Sequence, residues 1–256
     1  MNRIQSLFQN QEEKLIPFFT AGYPELDSTV ELVLGAVSAG ADMIEIGIPF
    51  SDPQADGPII QASSHQALKN GITLNTIFQQ VKQIRNQTKI PIALMGYYNP
   101  ILKWGEEAFL DQCVSVGVDG LILPDLSLDE AKPFCKMARS RGISPILLVA
   151  PNTPNERIKH ISEIAGDLIY AVSILGVTGN NLVSKDALLD YLSRVRKHSV
   201  TQFVVGFGIS TRDDVKWLNE YADGAVVGSA IIKKMDGASN PIEATKELIQ
   251  KLKGTL

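Results

Sequence analysis

A carboxylate stands in the middle of an apolar strand pattern early in the chain. The predicted strand is Met43–Ile48, and Glu45 lies in it between Ile44 and Ile46. Burial of an unpaired carboxylate costs free energy unless its pKa rises. A glutamate with a raised pKa is suited to acid–base catalysis near neutral pH. The alternative is a buried ion pair, but the predicted strands contain no lysine or arginine, so the pattern favours a catalytic role for Glu45.

Two further carboxylates lie in the loop that follows this strand. Asp52 belongs to a Ser-Asp-Pro sequence, and Asp56 precedes Gly57 and Pro58. Such sequences are common in ordinary turns, and local sequence alone favours that interpretation for both. A loop carboxylate near the end of the Glu45 strand would instead supply the second acidic group of an acid–base pair. Both interpretations stay open at this point.

Glycine-rich turns late in the chain have the composition of a phosphate site. They are Gly176-Val177-Thr178-Gly179, Gly206-Phe207-Gly208 and Gly228-Ser229-Ala230, after the sixth, seventh and eighth predicted strands. Glycine lets backbone N–H groups approach an anion, and a short helix beginning at Ser229 would point its positive end at that anion. One such turn would indicate an ordinary loop, whereas three on adjacent strands favour a phosphate site. These turns contain no lysine or arginine, so backbone amides would do most of the binding.

The elements that must position these residues form a repeated pattern of strand and helix. Eight short runs are apolar throughout, as expected for parallel strands buried on both faces. They are Leu15–Thr20, Met43–Ile48, Pro91–Gly96, Gly120–Leu123, Pro145–Val149, Leu168–Val172, Gln202–Gly206 and Gly224–Val227. The amphipathic segments predicted as helices are Ser28–Ala39, Thr73–Asn86, Glu106–Val116, Leu128–Arg141, Pro154–Ala165, Lys185–Lys197, Thr211–Glu220 and Pro241–Lys253.

This repeat predicts an α/β fold, a (β/α)8 TIM barrel formed as a single domain over residues 1–256. Glycines such as Gly117 and Gly166 follow several predicted helices, where a left-handed cap residue is common. The alternative is an open doubly wound sheet, which usually has fewer strands and a G-x-G-x-x-G motif after its first strand; that motif is missing there. A short helix at Asn2–Asn10 is predicted to close the bottom of the barrel.

Two predicted connections are long. One runs from Pro49 to about Thr73, and the other from Leu175 to about Ser184. In a barrel both leave the C-terminal face, where active sites lie. Long loops at that face are commonly lids or binding loops, so the prediction is that these two cover a site.

Composition narrows the class of protein. The chain has 256 residues, 45% of them hydrophobic and 20% charged, with a formal net charge of −4, and these values are typical of a soluble globular protein. Without a run of basic residues, a nucleic-acid partner is not expected. The apolar runs are too short for a membrane span, and the polar segment Met1–Gln11 does not resemble a signal peptide. The chain has only two cysteines, Cys113 and Cys135, and so no framework of disulfide pairs; this favours their interpretation as reduced thiols of a cytoplasmic protein.

Metal chemistry is not predicted. The three histidines, His65, His160 and His198, are scattered without the spacing of metal ligands, and are interpreted as surface or structural residues.

The segment from Glu45 to Pro58, EIGIPFSDPQADGP, closely resembles the signature of the tryptophan synthase alpha subunit family. The signature is long and specific, and similar segments continue along nearly the whole chain. These further segments are Pro17–Gly22, Gly96–Pro100, Gly176–Gly179, Gly206–Ser210 and Gly228–Ala230.

The resemblance implies a phosphate-binding (β/α)8 barrel that cleaves indole-3-glycerol phosphate to indole and glyceraldehyde 3-phosphate, a retro-aldol reaction. Glu45 matches the acid–base residue of the family. Asp56 matches the carboxylate that accepts the indole N–H and stabilises the indolenine cation. Tyr170 matches a family tyrosine near that glutamate, although a tyrosine on a buried strand is equally consistent with a barrel-core aromatic.

The resemblance also implies a substrate pocket with an apolar part and a phosphate-binding part. The expected pocket for the flat indole ring is formed by Phe18, Met95, Ile122, Leu148 and Phe207. The expected phosphate site is formed by Thr178, Gly179, Gly208, Gly228 and Ser229. No metal or cofactor is expected in this subunit.

A partner follows from the resemblance. The family works with a beta subunit that uses pyridoxal phosphate (PLP) to join indole to serine, in an alpha2beta2 heterotetramer through which indole passes directly. The overall reaction makes L-tryptophan and belongs to the carbon–oxygen lyases, although the alpha half-reaction breaks a carbon–carbon bond. The loops Pro49–Pro58 and Gly176–Ser184 are predicted to order when ligand or partner binds.

The chain departs from the family pattern at three positions. Ile174 stands where some members have an arginine, and Leu168 stands where some have a tyrosine. Ser127 follows Asp125-Leu126 where a proline is frequent, in a loop expected to contact the partner. These differences concern loop dynamics and coupling to the partner rather than Glu45 or Asp56.

Other functions fit the sequence less well. An indole-glycerol-phosphate synthase should carry lysines at strand ends, and a ribulose-phosphate epimerase should carry metal-binding histidines there. A barrel that only regulates its partner should have lost Glu45 or Asp56, and both are present.

Overall fold

A computed structural model of the protein describes residues 2–173, 185–206 and 208–256. Within these ranges the chain forms eight parallel strands. In chain order, β1 to β8 are Leu15–Thr20, Ile44–Gly47, Ile92–Met95, Gly120–Ile122, Ser144–Val149, Leu168–Val172, Gln202–Gly206 and Gly224–Val227. Each predicted strand is therefore present, with boundaries that differ by at most one residue at either end.

Twelve helices surround the strands in the described part of the chain. In chain order, α1 to α12 are Arg3–Leu7, Ser28–Ser38, Pro58–Lys69, Leu74–Arg85, Tyr98–Trp104, Glu106–Val116, Leu128–Ser140, Asn155–Ala165, Lys185–His198, Arg212–Tyr221, Ser229–Met235 and Pro241–Lys253. The eight predicted amphipathic helices are all present, and the short helix beginning at Ser229 is confirmed. The glycines expected after helices have positive φ, for example 86° at Gly117.

The strands close into a ring in chain order, because β1 pairs with both β2 and β8. Phe18 of β1 lies opposite Glu45 of β2, while Leu15 of β1 lies opposite Ala225 of β8. A closed parallel barrel with helices outside it is the predicted (β/α)8 fold, and the open doubly wound sheet is excluded.

Alternation along β2 shows how one strand serves two cores. Ile44 and Ile46 belong to the large outer core between the strands and the helices. Met43, just before the strand, belongs to the inner core of the barrel, and Glu45 lines the cavity above it. Because successive side chains of a strand point to opposite faces, the inward position of Glu45 follows from the outward positions of its two isoleucine neighbours.

Helix α1 closes the bottom of the barrel, as predicted, but it is shorter than the expected Asn2–Asn10. Asn2 forms a capping box with Gln5, in which each side chain accepts a hydrogen bond from the backbone N–H of the other. Ile4 is fully buried and, with Phe8, packs against the inner core of the barrel.

Two helices were missed in the connections above the barrel. Helix α3 occupies Pro58–Lys69, inside the connection predicted as a long loop from Pro49 to Thr73, and helix α5 occupies Tyr98–Trp104. Proline at the first position of a helix costs no hydrogen bond, and α3 begins in this way at Pro58. The long loop after β2 is therefore only about half as long as the sequence suggests.

Some other expectations concern single features. Cys113 and Cys135 are both free and buried, and they pack in the core as small hydrophobic residues do. Among the described residues, no helix is long and apolar enough to cross a membrane. The predicted second long connection, Leu175–Ser184, lies outside the described residues.

Candidate active site

A cavity of about 570 Å³ opens at the C-terminal ends of the strands, where a barrel normally has its active site. Residues predicted for both the chemistry and the binding of a substrate line it together. The members of that predicted set are Phe18, Glu45, Asp56, Met95, Ile122, Leu148, Tyr170, Gly208, Gly228 and Ser229. The volume falls in the range of small-molecule sites in proteins.

Glu45 is the most deeply buried acid of this cavity, with 1% of its surface exposed. It makes no ion pair or hydrogen bond with another described residue. Burial, followed by the negative charge of Asp56, raises the pKa of Glu45 to about 8. The side chain is therefore mainly a neutral carboxylic acid at pH 7 and can donate a proton.

Asp56 reaches the same cavity from the loop between β2 and α3. The loop is held by a turn in which the Asp56 N–H donates to Pro53, and by Gln61 of α3, whose amide donates to the Asp56 carbonyl at 2.9 Å. Burial raises the pKa of the Asp56 carboxyl to about 6, and a hydrogen bond from Tyr97 opposes that rise. At pH 7 most of the carboxyl is therefore ionised, unlike that of Glu45.

Among the described residues, Tyr97 is the side chain that donates a hydrogen bond to the Asp56 carboxyl. It was not among the residues predicted from the sequence. Its hydroxyl lies 3.3 Å from Asp56 Oδ2 and accepts the backbone N–H of Ala55 at 2.9 Å. Its ring stacks on Phe50, with centroids 5.1 Å apart. The signal available in the sequence was the Gly-Tyr-Tyr-Asn-Pro segment, which supported the family resemblance without indicating which residue Tyr97 contacts.

Tyr170 of β6 lies inside the barrel beside the two acids. Burial and the charges of Glu45 and Asp56 raise its pKa well above the ordinary value, so the hydroxyl stays protonated. Gly206 on the neighbouring strand makes room for it, because a Cβ at that position would lie 2.0 Å from the Tyr170 hydroxyl oxygen. The tyrosine is thus both packed on the inner core and exposed to the cavity.

An apolar wall forms one side of the cavity. Phe18 lies across β2, where a Cβ at Gly47 would come within 2.5 Å of its ring, so Gly47 is needed for this placement. Met95, Ile122 and Leu148 come from the successive strands β3, β4 and β5 and also line the cavity. A flat aromatic ligand would find mainly hydrocarbon on this side.

Glycine and serine form another part of the wall. Gly208, Gly228 and Ser229 line the cavity at the ends of β7 and β8, and the space around a Cβ at Gly208 is open. The structure therefore brings together two of the three predicted glycine turns. Phe207 and the third turn, with Thr178 and Gly179, lie outside the described residues.

The two carboxyl groups of this cavity differ in their charge at pH 7. Two carboxyl groups share one space and differ in pKa, with Glu45 at about 8 and Asp56 at about 6. One can donate a proton while the other carries a negative charge, which is the arrangement of a general acid beside an electrostatic stabiliser. Among the described residues, no group of three or more His, Cys, Asp or Glu side chains could hold a metal ion.

The family model for the tryptophan synthase alpha chain matches residues 4–255. The chain belongs to this family. The match confirms the resemblance seen in the sequence, and with it the role of an enzyme subunit of tryptophan biosynthesis that cleaves indole-3-glycerol phosphate.

Relatives named tryptophan synthase alpha chain are similar over nearly their whole length. The protein from Petrotoga mobilis is 46% identical over 240 residues, which cover 94% of this chain and 93% of the relative. The protein from Flavobacterium psychrophilum is 42% identical over 92% of this chain and 94% of its own.

Solved structures agree with the fold. The tryptophan synthase alpha subunit of Legionella pneumophila is 33% identical and superimposes with a TM-score of 0.92, covering 99% of this chain and 98% of its own. A chain of the tryptophan synthase complex of Pyrococcus furiosus is 40% identical, with a TM-score of 0.87 over 94% of this chain and 98% of its own.

Proposed function

We propose that Glu45 and Asp56 carry out the retro-aldol cleavage of indole-3-glycerol phosphate in this cavity, Glu45 as the acid–base residue and Asp56 as the stabilising carboxylate. The observation that supports this assignment is the pair of carboxyls in one cavity whose pKa values differ, at about 8 and about 6. Glu45 is the only one of the two that is mainly protonated at pH 7.

The reaction follows from these two charge states. Glu45 gives its proton to C3 of the indole ring, and the cation that forms is stabilised because Asp56 accepts a hydrogen bond from the ring N–H. The Glu45 carboxylate then takes the proton of the hydroxyl on the side-chain carbon bonded to C3. As that carbon becomes an aldehyde, its bond to C3 breaks and the bonding electrons restore the aromatic indole.

Tyr170 is proposed as a third residue of this centre. Its hydroxyl stays protonated next to the two acids, so it can donate a hydrogen bond to the substrate or to the Glu45 carboxylate after proton transfer. The space that Gly206 leaves for the hydroxyl supports a function beyond core packing.

Binding is divided between the two parts of the cavity wall. The indole ring is placed against Phe18, Met95, Ile122 and Leu148, and the phosphate against the backbone of Gly208, Gly228 and Ser229. Phe207, Thr178 and Gly179 are proposed to complete these two sites by the family resemblance alone. No metal or cofactor is needed for this half-reaction.

The partner is proposed to be a tryptophan synthase beta subunit in an alpha2beta2 heterotetramer, with PLP bound in the beta subunit. Two solved relatives support this, since one is a tryptophan synthase complex and another is described as an a2b2 complex with mutual activation, both from Pyrococcus furiosus. We further propose a cytoplasmic location, one domain over residues 1–256, and carbon–oxygen lyase as the class of the overall reaction. The two free, buried cysteines support the cytoplasmic location, and the closed ring of strands supports the single domain.

The test is indole release from indole-3-glycerol phosphate by the purified chain, alone and with a beta subunit. Wild type should release indole, and the beta subunit should raise the rate. Glu45→Gln should lose about 10³-fold in turnover, because it can no longer transfer a proton. Glu247→Gln is the matched control, since Glu247 is exposed on α12 and pairs only loosely with Lys234 at 3.7 Å.

Retention of turnover by Glu45→Gln would contradict the role of Glu45. A folded wild-type chain that releases no indole under either condition would contradict the reaction itself.

A further inference from the structure

Tyr97 contacts the loop that carries Asp56 at three different points. Its hydroxyl reaches the Asp56 carboxyl, the same oxygen accepts the N–H of Ala55, and its ring stacks on Phe50 at an interplanar angle of 26°. Tyr97 itself is 6% exposed and is the N-cap residue of helix α5, so it lies on a different connection of the barrel from the Asp56 loop. None of the roles proposed above uses it.

We propose that Tyr97 is a positioning residue of the reaction: it fixes the Asp56 carboxylate toward the indole N–H by donating a hydrogen bond to it. This inference rests on the proposed function. Tyr97 does not touch the reacting atoms; it acts on the reaction only through Asp56.

The contacts explain why such a residue is needed. Gln61 and Pro53 hold the backbone of the Asp56 loop, but they leave the direction of the carboxyl free. Within the described residues, Tyr97 supplies the side-chain hydrogen bond to that carboxyl. At 3.3 Å the bond is longer than a usual O–H···O bond, and we expect it to shorten when substrate fills the cavity.

The titratable side chains that face Asp56 come from three elements. Glu45 faces it from β2, Tyr170 from β6 and Tyr97 from the start of α5. Burial raises the pKa of Asp56, whereas the Tyr97 hydrogen bond lowers it. The Tyr97 hydroxyl remains a donor because burial, first, and the Asp56 charge, second, raise its own pKa.

The neighbouring residue gives a matched control. Tyr98 is also partly buried, but its hydroxyl bonds Glu106 and its ring meets Phe134 edge-on, outside the lining of the cavity. Tyr97→Phe and Tyr98→Phe each remove one hydroxyl and keep the ring. Comparing the two separates loss of the Asp56 contact from loss of a tyrosine hydroxyl in this region.

The experiment measures the pH profile of kcat/KM for indole release by wild type and both variants, with folding checked by thermal unfolding. We expect Tyr97→Phe to lose about tenfold in kcat/KM. Its acid limb should move up by about one pH unit, because Asp56 ionises less readily, while its basic limb, set by Glu45, should stay in place. Tyr98→Phe should keep the wild-type limbs.

A second measurement needs no activity. Carbon-13 labelled aspartate, with the Asp56 signal assigned from its loss in Asp56→Asn, reports the pKa of Asp56 directly. That pKa should rise in Tyr97→Phe and stay at the wild-type value in Tyr98→Phe.

Different results would contradict the positioning role of Tyr97 and the proposed cleavage reaction. If wild type releases indole and Tyr97→Phe changes neither the acid limb nor the Asp56 titration, Tyr97 is not the positioning residue. If both limbs of Tyr97→Phe move together, its effect is general and the proposal is again wrong. If wild type releases no indole, the proposed function fails, whereas the titration still tests the contact.

Discussion

Buried acids at the two ends of the barrel differ in whether they have ion-pair and hydrogen-bond partners. At the bottom, Asp119 is 3% exposed and lies between Arg3 and Arg85, each 2.8 Å away. It also accepts the backbone N–H of Ile92 at 2.8 Å. At the top, Glu45 is 1% exposed and has no ion pair or hydrogen bond with any described residue.

Further acids at the bottom follow the Asp119 pattern. Asp42 pairs with Lys253 at 2.8 Å, and Asp223 pairs with Arg196 at 2.9 Å. Asp167 accepts a hydrogen bond from Ser144 at 2.5 Å. Each of these carboxylates therefore has a cation or a hydrogen-bond donor as its partner, and these contacts help to hold strand ends and helices together.

The difference shows that burial alone does not make an acid reactive. Asp119 and Glu45 are buried to nearly the same degree, but the first is compensated and the second is left next to another carboxyl. The ion pairs of Asp119 help to hold the fold together, whereas Glu45, without such partners, keeps its proton near neutral pH. The bottom of the barrel therefore serves stability, and the top gives up stability for chemistry.

The largest effect on stability should come from breaking the compensated acid. Asp119→Asn leaves two arginines without their carboxylate, one of them, Arg85, with only 12% of its side chain exposed. We expect a loss of about 3 kcal/mol in the free energy of unfolding, measured by urea denaturation at pH 7. Glu247→Gln, on the exposed pair with Lys234, should change it by less than about 1 kcal/mol.

Activity gives the second half of this test. Because Asp119 lies at the far end of the barrel from the cavity, the folded fraction of Asp119→Asn should keep its rate of indole release. Equal stability losses in Asp119→Asn and Glu247→Gln would show that pairing at the bottom does not stabilise the fold.

A comparable effect of opposite sign is expected for the uncompensated acid. The pKa of Glu45 is about 8 in the folded chain, against an ordinary value of 4.5, so the folded state binds more protons than the unfolded state between these pH values. The contribution of the Glu45 proton to the free energy of unfolding is fully present below pH 4.5 and is lost as pH rises toward 8. At pH 7 the cost is on the order of 3 kcal/mol.

Glu45→Gln should remove this cost. Urea denaturation from pH 5 to pH 8 should show the variant gaining stability relative to wild type with each step of pH. A stability difference between the two that does not depend on pH would mean that Glu45 is compensated after all.

The smallest effect concerns the coupling of the two upper acids. The charge of Asp56 is the second cause of the raised pKa of Glu45, after burial. Asp56→Asn should therefore lower the pKa of Glu45 by less than about one unit, measured by carbon-13 NMR of labelled glutamate. Asp52→Asn is the control, since Asp52 is exposed in the same loop and should leave the titration unchanged. A fall of more than half of the rise from 4.5 to about 8 would make Asp56, not burial, the main cause.

Local patterns in the sequence were enough for the barrel and for one acid. Each strand could be predicted because it is a short apolar run between amphipathic helices, and Glu45 stood out because it interrupts such a run. Helix α3 was missed because its apolar residues are less clearly confined to one face than those of α4, although Gly57-Pro58 marks its start. The assignment of Asp56 depended on the family resemblance, since an Asp-Gly sequence by itself predicts a turn.

Contacts between distant segments could not be predicted in this way. The Tyr97 hydroxyl and the Asp56 carboxyl are 41 residues apart in the chain, and their meeting depends on how two loops at the ends of β2 and β3 fold over the barrel. Nor does any local pattern give the partners of Asp119, whose arginines lie 116 and 34 residues away.

The pairing of β1 with β8 has a consequence for the order in which the protein is made. Leu15 finds its partner only when Ala225 has been synthesised, so the ring cannot close until almost the whole chain has left the ribosome. Before that moment β1 and β7 are open edges, which can pair with other chains. The cavity, which needs both Phe18 and Gly228, therefore comes into existence at one late step rather than growing strand by strand.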